Sequence, residues 1–278
     1  MNEPGLYNRD DIVPTDTESK EGVKVYEYRA LSQIEEARLI DILRSAEHEN
    51  KDKRYSVHLV DGKSEAAQLG RSLEATVFLE FFSNDEDTMQ KAYRPYEEYS
   101  RFLLVIDQAN NLAVGVMRLV DNSPNGLKSL QDLQHEPWNK PLAKIFAEND
   151  IKPAMLDKTW DIATLAVRDG YRGKSEVSSA LYHGLYQSSV ALGKTEWVAI
   201  LDDNVMELLE KFSLFFSKYK DVAPGSYLDS PSSTPVYANV HQMVEVRMRN
   251  ADFGSYEYLA LGKHGIRDDI DFSGIGNK

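Results

Sequence analysis

The chain has 278 residues, with 32 Lys and Arg against 45 Asp and Glu, a formal net charge of −13, and 42% hydrophobic and 10% aromatic residues. That length and composition build a folded core, and the acidic excess excludes broad binding to nucleic acid or anionic membrane, both of which require a basic face. The absence of cysteine excludes disulfides, thiolate metal sites and a cysteine nucleophile.

Residues 1–22 are polar, acidic and without hydrophobic period, which predicts a flexible tail ahead of a single domain over 23–278. The N-terminus lacks the layout of a signal peptide, and no apolar run approaches the roughly 18 residues of a membrane helix; a soluble, cytoplasmic protein is expected. Val23 to Tyr28 alternates as a first strand. Ser32 with Glu35 forms a capping-box pattern ahead of a helix carrying Ile34, Ala37, Leu39, Ile40 and Leu43, which ends in the charged run His48–Lys53. Residues 65–82 form a second apolar, helical segment. Phe102–Ile106 and Leu112–Val120 flank the Asn-rich stretch Asp107–Asn111 and predict an antiparallel hairpin. A short helix is expected over 139–148 and a strand over Trp160–Val167.

The strand leads through Arg168-Asp169-Gly170-Tyr171-Arg172-Gly173-Lys174 into a helix starting at Ser175, with Val177, Ala180, Leu181, Gly184, Leu185 and Leu192 at helical spacing. A strand over Trp197–Leu201 follows, then Asp202-Asp203-Asn204 and a helix with Val205, Leu208, Leu209 and Phe212. This run implies parallel strands bridged by a helix. A loop over Pro224–Pro235 and strands over 236–248 and 255–261 complete the chain. The fold class expected is α/β (α+β), a mixed central sheet with an antiparallel N-terminal hairpin and a parallel β-α-β centre.

The loop after Val167 combines two glycines, three cations and the start of a helix. Glycines allow close backbone approach, and a helix N-terminus offers free N–H donors with partial positive charge. A phosphate or pyrophosphate suits such a loop; an ordinary turn with solvated charges is the other reading, since neither a Walker loop nor GxGxxG is present. The six histidines show no HxH or HxxxH spacing, so no metal is expected. Tyr93, Tyr96 and Tyr99 recur every three residues on one helix face, as pocket roof or as core. The same choice applies to Phe78, Phe81, Phe82, Phe212, Phe215 and Phe216, which line an acyl channel or fill the core.

The hairpin, strand, Val-Arg-Asp-Gly-Tyr-Arg-Gly-Lys loop, long helix, strand and Asn-started helix over about 100–215 resemble the GNAT acyltransferase superfamily. The resemblance implies an acyl-CoA N-acyltransferase fold in which the strand ending Leu165, Ala166 and Val167 splays from its neighbour to bind the pantetheine arm. Arg168, Arg172, Gly173, Lys174 and Ser175 then hold the pyrophosphate. Ser175 and Val177 stand at two positions where the family has small residues. Leu209-Glu210-Lys211-Phe212 has Leu where the family's general acid is often Tyr.

Gly115-Val116-Met117-Arg118-Leu119, followed by Leu127-Lys128, and Trp160–Val167 resemble one branch of that superfamily. It contains the autoinducer-producing N-acyl-homoserine-lactone synthases and the long-chain N-acyl amino acid synthases. Here Asp161 takes the place of a Glu and Thr164 that of an Arg. The resemblance implies transfer of an acyl group from an acyl-CoA or acyl carrier protein thioester to the amine of a small molecule, such as an amino acid or its derivative. A conventional acetyl-CoA enzyme and a GNAT-fold protein that only binds a ligand are the alternatives. Asp161 is the candidate for deprotonating or orienting the amine, or else a carboxylate paired with Arg118. Arg118 would grip an acceptor carboxylate or organise Asp161. Asn204 caps the last helix, contacts pantetheine, or both. A carrier protein, itself acidic, would dock on the local cations Arg168, Arg172 and Lys174.

Overall fold

The computed structural model describes residues 26–45, 54–173, 175–211 and 214–249. The expected tail, Val23–Val25 of the first strand, the run His48–Lys53, Lys174, Phe212 and the last strand over 255–261 lie outside them.

Helix α1 (Gln33–Ser45) starts where expected. The Ser32 N–H donates to Glu35 Oε2 at 2.9 Å and the Glu35 N–H to Ser32 Oγ at 3.3 Å, a reciprocal capping box. Its Leu39, Ile40 and Leu43 and the i, i+4, i+8 series Leu69, Leu73 and Val77 of α2 (Ala67–Phe82) bury one shared face. Helix α3 (Glu86–Tyr93), N-capped by Asp85, runs into a 3₁₀ turn over Arg94–Tyr99. Three residues per turn is the 3₁₀ period, which accounts for the Tyr93, Tyr96, Tyr99 spacing better than an α-helical face.

The hairpin is β2 (Ser100–Asp107) and β3 (Leu112–Asp121). Short helices α4 (Lys128–Asp132) and α5 (Leu142–Glu148) follow, then β4 (Thr159–Val167), α6 (Ser175–Ala191), β5 (Glu196–Asp202) and α7 (Asp203–Lys211). With β1 (Tyr55–Asp61), β6 (Ser217–Lys218), β7 (Gly225–Tyr227) and β8 (Ser230–Asn239) they form one sheet in the order β1-β2-β3-β4-β5-β8-β6, with β7 on β8. Among the described residues only β4 and β5 pair in parallel. Helix α6 covers one face through Val177, Ala180, Leu181 and Leu185 against Val57, Leu103, Val105 and Met117. Helices α1 and α2 cover the other, against Phe102, Leu104 and Val116.

Three expectations need correction. Tyr26–Tyr28 joins no strand among the described residues; the buried Tyr28 instead donates its hydroxyl to Glu97. The stretch read as a loop over 224–235 holds β7 and the start of β8, and the strand read over 236–248 ends at Asn239. From Val240 the chain is helical, as α8 (Val240–Arg249).

Gly115 of β3 decides how close α6 can lie. A Cβ there would sit 2.8 Å from Val177 Cγ1 and 3.2 Å from Leu181 Cδ1. Gly115→Ala should therefore cost about 1–3 kcal/mol by overpacking, read from urea denaturation. Trimming the opposing side chain should relieve the clash, so Gly115→Ala/Val177→Ala should lose less than the two single losses summed; simple additivity would show that no such contact exists.

Candidate active site

Strands β4 and β5 pair only at Thr159–Glu196, Trp160–Trp197 and Asp161–Val198. Beyond those rungs β5 stays on β8 as far as Asp202 and β4 stays on β3 as far as Val167, so the two part. A cavity of about 100 Å³ occupies the opening. Ile162–Leu165 and Ile200–Asp202 flank it, Phe78, Phe82 and Tyr93 close it from the α2–α3 side, and Tyr182, Leu185, Val205 and Leu209 from the α6–α7 side. Phe216, Tyr227, Leu228 and Ser230 complete the wall. The slot therefore passes between the two helical layers through the sheet itself, and its lining is mostly apolar.

Pairing of β3 with β4 steps from Arg118–Thr164 to Leu119–Ile162, leaving Ala163 as the extra residue of a bulge on the cavity wall. The Tyr93 hydroxyl points to the Ala163 carbonyl at 3.4 Å. Of the residues expected to bind an extended arm, Leu165 lines the cavity, Ala166 packs towards α2 and Val167 is half-buried. From Ile162 onward the edge of β4 facing β5 has no ladder partner among the described residues.

The loop after Val167 begins with Arg168 and turns through Gly170 at φ 78° and Gly173 at φ 74°, both left-handed and both open around the missing Cβ. Ser175 opens α6, and Lys174 lies outside the described residues. Val177, which takes a position small in the superfamily, turns inward onto Gly115, so it does not crowd the loop. The charges are already engaged. Arg168 holds Glu36 at 2.6 Å and the Ala113 carbonyl at 2.7 Å. Arg172 makes a forked pair with Glu80 at 2.8 and 3.1 Å, with its guanidinium 4.1 Å above the exposed Phe81 ring.

Arg118 and Asp161 do not meet. Arg118 is fully buried; its Nη2 and Nε reach Glu74 at 2.6 and 3.1 Å, Nη1 reaches Glu97 at 3.0 Å, and the Tyr93 and Phe102 rings flank it. Glu97 also holds Arg71 at 2.6 Å, and the Thr164 hydroxyl donates to Glu74. With two cations on two carboxylates the network is internally neutral, and every guanidinium nitrogen of Arg118 is spoken for, so an acceptor carboxylate cannot be gripped there. Asp161 is also fully buried, and its two oxygens accept from the Ser129 N–H at 2.5 Å and the Ser129 hydroxyl at 2.6 Å. It anchors the first turn of α4 onto β4. Burial pushes its pKa up to about 6 against the opposing pull of those two bonds.

Asn204 is exposed and does not line the cavity. The cap of α7 is Asp202, whose Oδ1 accepts from the Asn204 N–H and Nδ2 at 2.9 Å each, while Oδ2 accepts from Ser230 at 2.7 Å. Three of the phenylalanines taken as channel or core, Phe78, Phe82 and Phe216, line the cavity, as does Tyr93. Sequence reasoning missed Tyr227, Lys128 and Asp132 as site residues. Lys128, with its side chain 4% exposed, donates to Asp132 Oδ2 at 2.6 Å and to the Tyr227 hydroxyl at 2.5 Å, and lies 4.9 Å from the Tyr93 ring centre. The one available signal was a lysine directly following the Arg118 motif's Leu127.

Among the described residues no helix is long and apolar enough to cross a membrane, and no cluster of three His, Asp or Glu is placed to hold a metal ion. No family model and no curated protein matches the chain. Solved structures do resemble it. A CoA-dependent acyl-homoserine lactone synthase, BjaI, with SAM and isopentyl-CoA is 12% identical at a TM-score of 0.49, over 77% of this chain and 93% of that one. FeeM, an N-acyl amino acid synthase from uncultured soil microbes, is 10% identical at 0.49, over 69% of this chain and 94% of that one. Spermidine N-acetyltransferase from Vibrio cholerae, in complex with CoA and spermine, is 9% identical at 0.42, over 68% and 98%. By their own descriptions these neighbours are an acyl-homoserine lactone synthase, an N-acyl amino acid synthase and an N-acetyltransferase.

Proposed function

We propose that the chain is an N-acyltransferase that moves an acyl group from an acyl thioester to the amine of a small molecule. The observation that carries this reading is the parting of β4 from β5 around an apolar slot with a bulge on its wall. An unpaired strand edge binds an extended amide-bearing arm by adding to the sheet, which suits pantetheine along Leu165–Val167. The Ala163 N–H, left out of the β3 ladder as the bulge's extra residue, is the donor for the oxyanion that develops when an amine attacks the thioester carbonyl. The attack needs no enzyme nucleophile, in keeping with the absence of cysteine.

The loop Arg168–Gly173 serves the far end of the donor. An exposed ion pair contributes about 0–1 kcal/mol, so a pyrophosphate draws Arg172 away from the half-exposed Glu80 at little cost. A phosphopantetheine on an acyl carrier protein presents one phosphate to the same loop. Phe78, Phe82 and Phe216 make the slot suited to an acyl chain longer than acetyl.

Thiol release measured with CoA, carrier-protein and N-acetylcysteamine thioesters of increasing chain length, each with an amino acid pool, tests this. Burial of each added methylene contributes about 0.8 kcal/mol, so kcat/KM should rise about fourfold per carbon until the slot is full. Binding of thioesters without any thiol release would leave a ligand-binding protein instead.

A further inference from the structure

Tyr227 stands at the cavity wall on β7, in the stretch that reads as loop from sequence, with its ring 5.6 Å from that of Trp138. Its hydroxyl donates to Asp132 Oδ2 at 2.5 Å and accepts from the Lys128 ammonium at 2.5 Å. A phenol oxygen has one proton and two lone pairs, so these two partners leave one lone pair for a third. Asp132, unlike Lys128, reaches solvent, with its side chain 21% exposed. The Lys128 ammonium also lies over the Tyr93 ring, and the Tyr93 hydroxyl points to the carbonyl of the bulge residue Ala163. Tyr93 thus links the Lys128–Tyr227 pair to the bulge residue, and Tyr227 itself lines the slot.

We propose that Tyr227 is the catalytic proton-transfer residue, that Asp132 is its relay to solvent and that Lys128 is the cation that holds the pair in place. This inference rests on the acyltransfer reading above. As the amine nitrogen bonds to the thioester carbon, the carbonyl electron pair moves to oxygen. The nitrogen's proton passes to the Tyr227 oxygen while the proton of Tyr227 passes to Asp132. Collapse of the oxyanion restores the carbonyl and breaks the C–S bond, the thiolate leaving with that electron pair. Asp132 returns its proton to water, and the thiolate takes one from water, so thioester and amine become amide and thiol. Lys128 keeps its charge throughout and stabilises negative charge on the Tyr227 oxygen during the exchange.

The groups facing Tyr227 are Asp132 and Lys128 from α4, Tyr93 from α3 and Asp161 from β4. Burial first, then Asp132 and Tyr93, hold the phenol well above its ordinary pKa. It therefore enters the reaction neutral, and acts by handing on its own proton as it accepts another.

The test compares wild type, Tyr227→Phe and Asp132→Asn by thiol release across pH 6–9. General acid–base groups contribute about 10²–10⁴-fold. Tyr227→Phe keeps the ring and should lower kcat at least about 100-fold with an unchanged KM for the thioester. Its rate should climb with hydroxide more steeply than that of wild type, beyond the rise that deprotonation of the acceptor amine gives both, a change that a packing role would not produce. Asp132→Asn keeps an acceptor for both partners and should lower kcat without altering thioester KM. Both variants within twofold of an active wild type, with its pH profile, would overturn the relay alone. A wild type that releases no thiol from any thioester would overturn the acyltransfer reading and the relay with it.

Discussion

Replacing Arg118 with methionine should destabilise the protein by about 3–5 kcal/mol, because it leaves buried carboxylates without the cation they share. Glu74 and Glu97 are both 0% exposed and arrive from α2 and the 3₁₀ turn, and Arg118 on β3 is where they converge. Urea denaturation followed through the buried Trp160 and Trp197 reads the loss. Arg118→Met/Glu74→Leu removes an opposite charge as well, so it should recover part of the loss rather than add to it. A loss below about 1 kcal/mol in the single variant would mean that the network is wetted and nearly idle.

The same variant has a pH signature. Burial alone would raise the pKa of Glu97, but Arg118, Arg71 and the Tyr28 hydroxyl override it and hold it down to about 2. The unfolded value is about 4.3, so the folded value is depressed. Its contribution to stability is complete above that range and is lost as pH falls towards about 2. Without Arg118 the carboxylate protonates more readily, so the gap between wild type and variant should be widest at neutral pH and narrow below about pH 5.

Legibility in the sequence followed the continuity of apolar patterning. The hairpin β2–β3, β4 and β5 carry near-continuous apolar runs and α6 and α7 apolar residues at helical spacing, and each stands within a residue or two of where the sequence places it. Strand β1 does not announce itself because Ser56 and His58 fall on one of its two buried faces. They satisfy each other there, Oγ to Nε2 at 2.7 Å, with Gln108 donating to Ser56. Strand β8 hides for a related reason: Ser230, Ser233 and Thr234 are buried, bonded to one another or to Asp202 and Asp203. A run of Ser, Thr and Pro reads as loop until its tertiary partners are known.

The site divides the same way. The loop after β4 was visible because glycine and charge are local signals. The role of Arg118 was not, since its carboxylates lie 44 and 21 residues away in sequence. The pairing of Asp161 with Arg118 fails because each is already taken: Ser129 occupies both carboxylate oxygens, while Glu74 and Glu97 hold the guanidinium. Tyr227 was hidden with the strand that carries it.

Asp107→Ala should cost about 3 kcal/mol and loosen the loop Arg168–Gly173 at the same time. Asp107 is fully buried at the end of β2 and accepts from Arg54 at 2.9 Å, the Tyr171 hydroxyl at 2.8 Å, Asn110 Nδ2 at 2.9 Å and the Ala109 N–H at 3.0 Å. Tyr171 lies between Gly170 and Arg172, so this carboxylate ties the loop to the hairpin turn across the sheet. Burial opposes its ionisation, and Arg54, Tyr171 and Asn110 override that and hold its pKa below the ordinary range. Its support is therefore present above about pH 4 and lost below it. The functional consequence is selective. A loop that handles phosphate should, once released, raise KM for CoA thioesters severalfold and leave KM for N-acetylcysteamine thioesters unchanged, because only the former reach it. Tyr171→Phe removes one of the donors and should show the same selectivity at smaller cost in stability. An equal KM change on both thioesters would remove the loop from the proposed donor recognition while leaving the slot between β4 and β5 as the proposed acyl site.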